Sequence, residues 1–388
     1  MQGMHGLAWA ARVGAPVLRS TGVRRVSRTA TLDDVASGSE VELKVIHPHA
    51  RTTLNEPATP GEHHPPAIAR AVGKVIEHPS AWLASGIHGR VFEPGGHVVT
   101  TTGTHITDAS KILAPYNSLK YGVSIEQPWR SLDLTENTVG LVTSGGAETN
   151  FYHWLIEALP KVHLLKDAEP SVDTIIIPDN RSAYVNETLE LAGVDLSKVV
   201  RVPRLASATS KRLMIPSPVA SGSVISPWVH EFLRTTFLPL ASSIDSIERP
   251  SRVYLHRRGR RGIANFLEIE QALKARGYKT VVLEDLDFLS QVAVVASADF
   301  IVAPHGAGLA HLTFAKPGAQ VVEMMPPQFV KPLFWALSQI AGLRYSYILG
   351  RSPSSGTSPR SHSNNDSDSA DYVIEPDTLN HWLTNWSS

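Results

Sequence analysis

The run from Asp299 to Pro326, DFIVAPHGAGLAHLTFAKPGAQVVEMMP, constrains the fold of this chain more than any other stretch. It predicts a buried strand over Phe300–Ala303, a tight glycine turn, a short helix from about Leu309 and a second buried strand over Gln320–Met324. Strand and helix patterns that alternate in this way are typical of a parallel sheet with helices on its faces. The run therefore predicts an α/β core.

The turn inside this run predicts a site for a negatively charged group. Gly306 and Gly308 remove side chains where a backbone must pass close to a ligand. The helix that follows offers unpaired N–H groups and a positive dipole end, which suits a phosphate. His305 could donate to a phosphate or a sugar hydroxyl, and Glu323 could accept from paired hydroxyls such as those of a ribose. A glycine turn is also a frequent structural device, and the stretch lacks the P-loop lysine and the full GxGxxG spacing.

Breaks in periodicity divide the chain into segments. Gly95 and Gly96 form the turn of a predicted hairpin, and a long helix is predicted over Asn150–Lys166. The stretch SSIDSIERPS is polar and marks a domain boundary, and the run after Arg351 is rich in Ser, Pro, Asn and Asp. We predict a flexible segment over 1–66, an α/β domain over 67–245, a second over 246–350, a disordered loop over 351–371, and a closing strand and helix over 372–388.

Composition excludes several classes of protein. A formal net charge of zero argues against a nucleic-acid binder that relies on overall basicity. The absence of cysteine excludes disulfides, thiolate catalysis and zinc–thiolate sites, and the histidine spacings predict no metal site. No apolar run is long enough for a transmembrane segment. The Arg-rich first 31 residues fit a transit peptide, a disordered leader or a flexible start. In a bacterial context we expect a cytoplasmic protein, either free or peripheral to a membrane.

His153 and Glu157 form the second candidate site. Residues four apart share a helical face, so Glu157 can orient or stabilise the His153 imidazole. A histidine held by a carboxylate is suited to act as a general base toward a hydroxyl nucleophile. The alternative is a first-turn histidine bonded to backbone beside an ordinary helix glutamate.

A basic cluster after the predicted strand Arg252–His256 forms the third candidate site. Arginine forks match phosphate oxygens, and a loop after a parallel strand can bind an anion. Arg257 is the strongest candidate because it lies closest to the carboxyl end of its strand, where open α/β sheets bind ligands. A solvated charge run is the alternative for the other cationic residues.

Three motifs in order resemble the family 61 glycosyltransferases: NFYHWLIEALPKVHLL, YLHRRGRRGIANFLEIE and QVAVVASADFIVAPHGAGLAHLTFAKPGAQVVEM. The resemblance covers roughly Val91–Met325. It implies an α/β, GT-B-like fold with two Rossmann-like domains facing across a cleft. It also implies inverting transfer from a nucleotide sugar, usually a UDP-sugar, to a glycan or polysaccharide hydroxyl, without an obligatory metal or other cofactor. Bacterial relatives are commonly linked to capsular or exopolysaccharide synthesis.

The resemblance also implies roles for individual residues. The histidine and acidic positions of the first motif fall on His153 and Glu157, which places the acceptor side in the first domain. The donor-binding positions of the second and third motifs fall on Arg257, Arg261, Asn265, Glu268, His305, Gly306, Ala307, Gly308, Leu309 and Glu323. One departure is Phe266, where the family often has an acidic residue.

These assignments predict a single displacement. The donor diphosphate would lie on the turn at Gly306, neutralised by Arg257, while Glu323 would hold the ribose. His153 would take the proton of the acceptor hydroxyl, with Glu157 stabilising the imidazolium. The alternative is a non-catalytic module that binds a sugar nucleotide or polysaccharide and serves assembly. An NAD-dependent oxidoreductase would need a GxGxxG motif after its first strand, which the sequence lacks.

Overall fold

The computed structural model describes residues 28–37, 41–59, 64–109, 130–221, 224–259, 261–353 and 371–386. The undescribed residues include the Arg-rich start up to residue 27, Arg260 of the basic cluster after Arg252–His256, and residues 354–370 of the predicted disordered loop.

The described residues form strands, α-helices and a few tighter or wider helical turns, numbered here along the chain. The strands are β1 (Arg28–Ala30), β2 (Glu42–His47), β3 (Ala50–Thr53), β4 (Val75–His78), β5 (Ala81–Phe92), β6 (His97–Thr100), β7 (Thr104–Ile106), β8 (Arg130–Asp133), β9 (Thr138–Leu141), β10 (Thr174–Pro178), β11 (Val199–Val202), β12 (Ala206–Pro216), β13 (Ala220–Ser221), β14 (Val224–Ile225), β15 (Arg252–His256), β16 (Lys279–Val282), β17 (Phe300–Pro304), β18 (Gln320–Met325) and β19 (Arg344–Leu349). The α-helices are α1 (Leu32–Ala36), α2 (Pro66–Ala69), α3 (Lys161–Leu165), α4 (Ala183–Leu191), α5 (Pro227–Ser242), α6 (Phe266–Lys274), α7 (Phe288–Ser297), α8 (Leu333–Ile340) and α9 (Pro376–Trp386). A π-helix spans His153–Ala158, and 3₁₀ helices span Leu196–Lys198, Leu283–Asp285 and Ala307–Phe314.

These elements divide into two compact units at different positions from those predicted. The first unit draws on residues 1–50 and 78–222, and the second on residues 51–77 and 223–388. Helix α5 belongs to the second unit because it packs on α7 and on the 3₁₀ helix Ala307–Phe314. Residues 51–77 belong there too, since Ala58 donates its N–H to the Tyr345 carbonyl at 2.9 Å. Within the predicted flexible segment 1–66, β1 and β2 pair with β7 and β5 of the first unit, while β3 pairs with β4 in a separate two-stranded sheet.

The first unit is built on a large mixed sheet. Strands β5, β6 and β7 run antiparallel and include the hairpin predicted around Gly95 and Gly96, which is thus confirmed. Strands β9, β10 and β11 are parallel, and β12 joins the two halves by pairing antiparallel with β5 and parallel with β9. A cluster of buried aliphatic side chains, including Val91, Val139 and Leu213, forms its core.

The second unit contains a parallel sheet of five described strands in the order β16-β15-β17-β18-β19. Helices α6 and α9 pack on one face, around a buried cluster that includes Tyr254, Leu273 and Trp382. Helices α5, α7 and α8 pack with the 3₁₀ helix Ala307–Phe314 as a separate group. The prediction of an α/β fold is confirmed at this level.

The prediction of one long helix over Asn150–Lys166 is wrong about the type and length of the helix. The chain instead makes the wide π-helix, closed by a bond from the Leu159 N–H to the Trp154 carbonyl at 2.9 Å, and then the short α3. Pro160 explains the change, because proline has no N–H and its ring crowds the carbonyl four residues earlier. Helix α8 begins at Leu333, directly after Pro332. None of the helices among the described residues is long and apolar enough to cross a membrane.

Candidate functional site

The strand order in the parallel sheet of the second unit changes direction between β15 and β17. Strand β16 lies outside β15, while β17, β18 and β19 extend the sheet in the other direction. Open α/β sheets bind ligands beyond the carboxyl ends of their strands at such a reversal of strand order, because the flanking loops diverge there. The chain leaves β15 at Arg257 and leaves β17 at His305. The topology thus brings two of the predicted motifs to one point.

A cavity of about 120 Å³ opens at this reversal. Its volume corresponds to about four water molecules, which suits a phosphate group rather than a whole nucleotide. The residues that line it come from the ends of β15, β16 and β17 and from the glycine turn: Leu255, His256, Arg257, Arg258, Leu283, Glu284, Ala303, Pro304, Gly306, Ala307, Gly308 and Leu309.

The Arg257 guanidinium occupies the space that a side chain at position 306 would need. A Cβ atom on Gly306 would lie 2.0 Å from Nη1 and 3.0 Å from Cζ of Arg257. Nη1 also donates to the carbonyl of His305 at 2.8 Å. The φ of Gly306 is 176°, an extended value open to any residue, so the need for glycine here is a matter of space. The sequence predicts a close approach at this glycine but not that Arg257 makes it.

The helix after Gly306 is a 3₁₀ helix, Ala307–Phe314, and not the helix from about Leu309 that the sequence predicted. Its first turn is closed by a bond from the Leu309 N–H to the Gly306 carbonyl at 2.9 Å. The first N–H groups of a helix have no partner within it, so those of Ala307 and Gly308 are oriented to favour an anion. A Cβ on Gly308 would make only an ordinary 3.4 Å contact with Leu283, so protein packing does not require glycine there.

The end of β16 adds an acidic residue that the sequence argument did not select. Glu284 is exposed and lines the same cavity as Arg257 and Arg258. Its neighbour Asp285 instead accepts both Nη atoms of Arg258, at 2.6 and 2.7 Å, so this arginine is held by an ion pair. In dinucleotide-binding sheets a carboxylate after the second strand accepts from the ribose hydroxyls. Glu284 occupies the equivalent place, and this rule could have found it in the sequence VVLEDL.

His305 and Glu323 form a buried pair beside the cavity and do not line it. Glu323 has no exposed surface, and one carboxylate oxygen contacts Nδ1 of His305. The other oxygen accepts from the Tyr345 hydroxyl at 2.5 Å, and burial together with Glu323 raises the Tyr345 pKa well above its ordinary value. With both carboxylate oxygens engaged inside the protein, Glu323 is placed to orient His305 and not to meet a ligand.

Arg261 approaches this pair through an aromatic ring. Its guanidinium lies over Phe329, 4.6 Å from the ring centroid, and Phe329 packs edge-on against His305 at 5.3 Å. The backbone φ of Arg261 is 58°, in the left-handed region that non-glycine residues seldom adopt. Arg261 does not line the described cavity, and its contact with His305 runs through the Phe329 ring.

Asn265 and Glu268 serve the packing of the chain's last described segment. The Asn265 amide donates to the Glu268 carboxylate at 3.0 Å and to the Ile374 carbonyl at 2.8 Å, and it accepts from the Ile374 N–H. Neither residue lines the cavity. The Phe266 ring packs at a tilt against His256, with ring centroids 4.0 Å apart, and burial lowers the pKa of that histidine. Phe266 does not line the cavity itself but contacts His256, which does.

The first unit holds the predicted histidine–carboxylate pair. His153 Nδ1 and Glu157 Oε2 are 2.9 Å apart, and Ser144 donates its hydroxyl to the same oxygen at 3.0 Å. Glu157 is buried, while 27% of the His153 side chain is exposed. Gly146 admits the ring, since a Cβ there would lie 2.5 Å from His153 Cδ2. The pair is therefore oriented through Nδ1, with the imidazole edge that carries Nε2 as the reactive candidate.

Residues 151–322 match the family described as Glycosyltransferase 61. This match supports a family 61 glycosyltransferase. It spans His153, Arg257 and the glycine turn, and it ends one residue before Glu323. No curated protein shows a significant match to the chain. Within the described residues, no cluster of three or more histidine, aspartate or glutamate side chains is arranged to hold a metal ion.

The structure brings one group of predicted site residues together and separates another from it. Arg257, Gly306, Ala307, Gly308 and Leu309 share the cavity. His305, Glu323 and Arg261 contact one another or a shared ring beside the cavity, while Asn265 binds the terminal segment and Glu268 accepts from Asn265. The motif order marked all of them, but motif order carries no information on which side chains meet solvent.

Proposed function

We propose that this protein is a glycosyltransferase that moves a sugar from a nucleotide donor, with a UDP-sugar as the first candidate, to a glycan or polysaccharide hydroxyl. We further propose that the transfer inverts the anomeric configuration. The observation that carries the proposal is the cavity at the strand reversal, where Arg257 and the first N–H groups of a 3₁₀ helix converge. This site lies within the stretch that matches the glycosyltransferase family.

The donor side follows from the charges at the cavity. Transfer breaks the bond between the anomeric carbon and the diphosphate oxygen, and the electron pair of that bond leaves with the diphosphate. Arg257 and the N–H groups of Ala307 and Gly308 would stabilise this negative charge, since fixed donors cost no reorganisation during the reaction. This arrangement supports the prediction of a reaction independent of metal ions.

Glu284 is the residue we propose for the ribose. It is exposed at the cavity, whereas the buried Glu323 already serves His305 and Tyr345. Its position after the second strand of the sheet is that of the ribose-binding carboxylate in related α/β sheets. Glu323 would then act on the donor only through His305, by keeping the histidine ring in one orientation.

The acceptor side is assigned to His153. Its Nε2 would take the proton of the acceptor hydroxyl as that oxygen forms the new bond to the anomeric carbon. Glu157, held by Ser144, would stabilise the resulting imidazolium through Nδ1. A single displacement of this kind gives inversion, because the hydroxyl attacks the face opposite the leaving diphosphate.

Donor turnover with a panel of UDP-sugars tests the proposal. We expect release of UDP from at least one sugar nucleotide, with the rate rising when a suitable glycan is added and unchanged by EDTA. Binding of UDP-sugars without turnover would instead favour the non-catalytic binding module. Failure to bind any sugar nucleotide would contradict both functions.

Replacement of His153 by alanine tests the base. Loss of a general base lowers turnover by about 10²-fold or more, so H153A should lower kcat by that factor while UDP binding is retained. His88 offers a matched control, because it is an exposed histidine of the same unit on β5. A near-wild-type rate for H153A, or an equal loss for H88A, would remove His153 from this role.

A further inference from the structure

The first unit buries a lysine and a glutamate that the proposed mechanism leaves unused. Lys161 is 4% exposed and Glu93 is 1% exposed. Burying a charged group is costly unless another charge or a set of hydrogen bonds compensates it. Such a pair is therefore expected either to serve packing alone or to act on a neighbouring titratable site.

Both buried side chains hold the same residue at the end of a core strand. Lys161 Nζ donates to the carbonyl of Thr143 at 2.7 Å. The Thr143 hydroxyl donates to one oxygen of Glu93 at 2.5 Å, and the N–H of Gly95 donates to the other at 2.8 Å. The ammonium and the carboxylate thus act on one backbone segment from two sides.

This segment leads directly to the candidate base. The residue after Thr143 is Ser144, whose hydroxyl donates to Glu157 Oε2 at 3.0 Å. The same oxygen is 2.9 Å from His153 Nδ1. Two buried carboxylates, Glu93 and Glu157, therefore flank the segment that Lys161 binds, and Glu157 is the one that holds His153.

The titratable groups of this network shift one another's pKa values. Burial lowers the Lys161 pKa to about 8, while the carboxylates of Glu93 and Glu157 oppose that shift. Burial raises the Glu93 pKa to about 7, with Glu148 adding to the rise and Lys161 opposing it. Tyr152 also faces Glu157, and burial and this carboxylate raise the Tyr152 pKa well above its ordinary value.

We propose that Lys161 is a positioning residue whose buried ammonium offsets the Glu157 carboxylate and so sets the pH at which His153 can take a proton. The proposal rests on the proposed role of His153 as the base. Removing the ammonium leaves excess negative charge near the imidazole, which favours its protonated form. Glu93 adds no such charge at acidic pH, because burial raises its pKa to about 7 and it holds a proton below that pH. Removal of the ammonium should therefore shift the His153 titration, whereas loss of the Glu93 carboxyl should not.

Two measurements on the full chain test this inference. The first is the pH at which kcat falls to half on the acidic side. The second is the titration midpoint of the His153 ring nitrogens by ¹⁵N NMR, assigned with the H153Q variant, which requires no turnover. Lys161→Met should raise both midpoints by about 0.5 pH unit or more, whereas Lys161→Arg and Glu93→Gln should leave them near the wild-type value.

The shift of the two midpoints decides the outcome. A purely structural role would reduce activity in K161M without raising its midpoints, and that result would overturn the inference. If K161M does not fold, Lys161→Gln decides, since it keeps an N–H donor for the Thr143 carbonyl but carries no charge, and unmoved midpoints in this variant would contradict the inference. If the wild-type protein turns over no donor while the NMR midpoints move as expected, the proposed function fails and the coupling of Lys161 to His153 stands.

Discussion

Replacing Gly306 by alanine should disable the anion site while leaving the fold intact. The added Cβ would lie 2.0 Å from Arg257 Nη1, whereas carbon and nitrogen atoms in ordinary contact lie at least 3.4 Å apart. The guanidinium must therefore retreat by about 1.4 Å. Because Gly306 has an extended φ of 176°, alanine adds no backbone strain. The entire cost falls on Arg257 and on its 2.8 Å bond to the His305 carbonyl.

The size of the effect follows from this one displaced group. A hydrogen bond to a charged group contributes about 1.5–3 kcal/mol. If the displaced guanidinium also loses its contact with the donor diphosphate, binding of UDP should weaken by roughly 10- to 100-fold, because 1.4 kcal/mol corresponds to a factor of ten. The free energy of unfolding should fall by no more than about 1–2 kcal/mol, since a flexible side-chain end can move aside.

A double-mutant cycle with isothermal titration calorimetry of UDP measures this coupling. Arg257→Ala alone should weaken UDP binding by a similar factor. Adding Gly306→Ala to that variant should weaken binding little further, because the Arg257 guanidinium that the new Cβ would displace is no longer present. Additive losses would refute the reasoning, since they would mean that Gly306 acts independently of Arg257. Urea unfolding of each variant separates lost binding from lost structure.

Three further predictions concern carboxylates. Glu284→Gln should weaken binding of UDP roughly tenfold but leave 2′-deoxy-UDP nearly unchanged, since the lost bond is to the ribose hydroxyl; calorimetry that finds equal losses would contradict this. Glu323→Gln should lower the free energy of unfolding by about 1–3 kcal/mol, because the buried bond to His305 loses its charge; an unchanged urea midpoint would argue against it. Burial raises the Glu93 pKa from its ordinary 4.5 to about 7, so the folded state keeps a proton that the unfolded chain releases. Its contribution to stability is present below pH 4.5 and is lost as the pH rises through about 7, and Glu93→Gln should remove about 3 kcal/mol of this dependence in unfolding curves measured from pH 4 to 8.

The regular elements of the second unit followed from local pattern. The strands predicted at Arg252–His256 and Gln320–Met324 appear as β15 and β18, since runs of buried β-branched and aliphatic residues have few alternatives to a parallel sheet. The helix expected after the glycine turn appears there as a 3₁₀ helix. In the first unit, the α-helix expected over Asn150–Lys166 becomes a π-helix before Pro160, which has no N–H.

The site was predictable as a set of loops but not as a set of contacts. Arg257 and Gly306 were recognised separately, and nothing in their spacing indicated that one fills the space left by the other. Glu323 stood at the right end of its strand for a ligand, yet the alternation of side chains along β18 turns it inward to His305 and Tyr345. Lysine is usually found on protein surfaces, and nothing in the sequence around Lys161 indicates that it is buried. Only the tertiary structure shows its burial and its hydrogen bond to the Thr143 carbonyl.

The sequence alone determined the α/β class, the glycine turn after a buried strand and the pairing of His153 with Glu157, because these depend on neighbours within a few residues. The tertiary structure decided which charges meet. The order of strands brings Arg257, Glu284 and Gly306 to one cavity, and burial directs Glu323 and Lys161 to support other side chains. The physical reason is that hydrophobic periodicity specifies the elements, whereas the desolvation of each charge depends on residues far away in the chain.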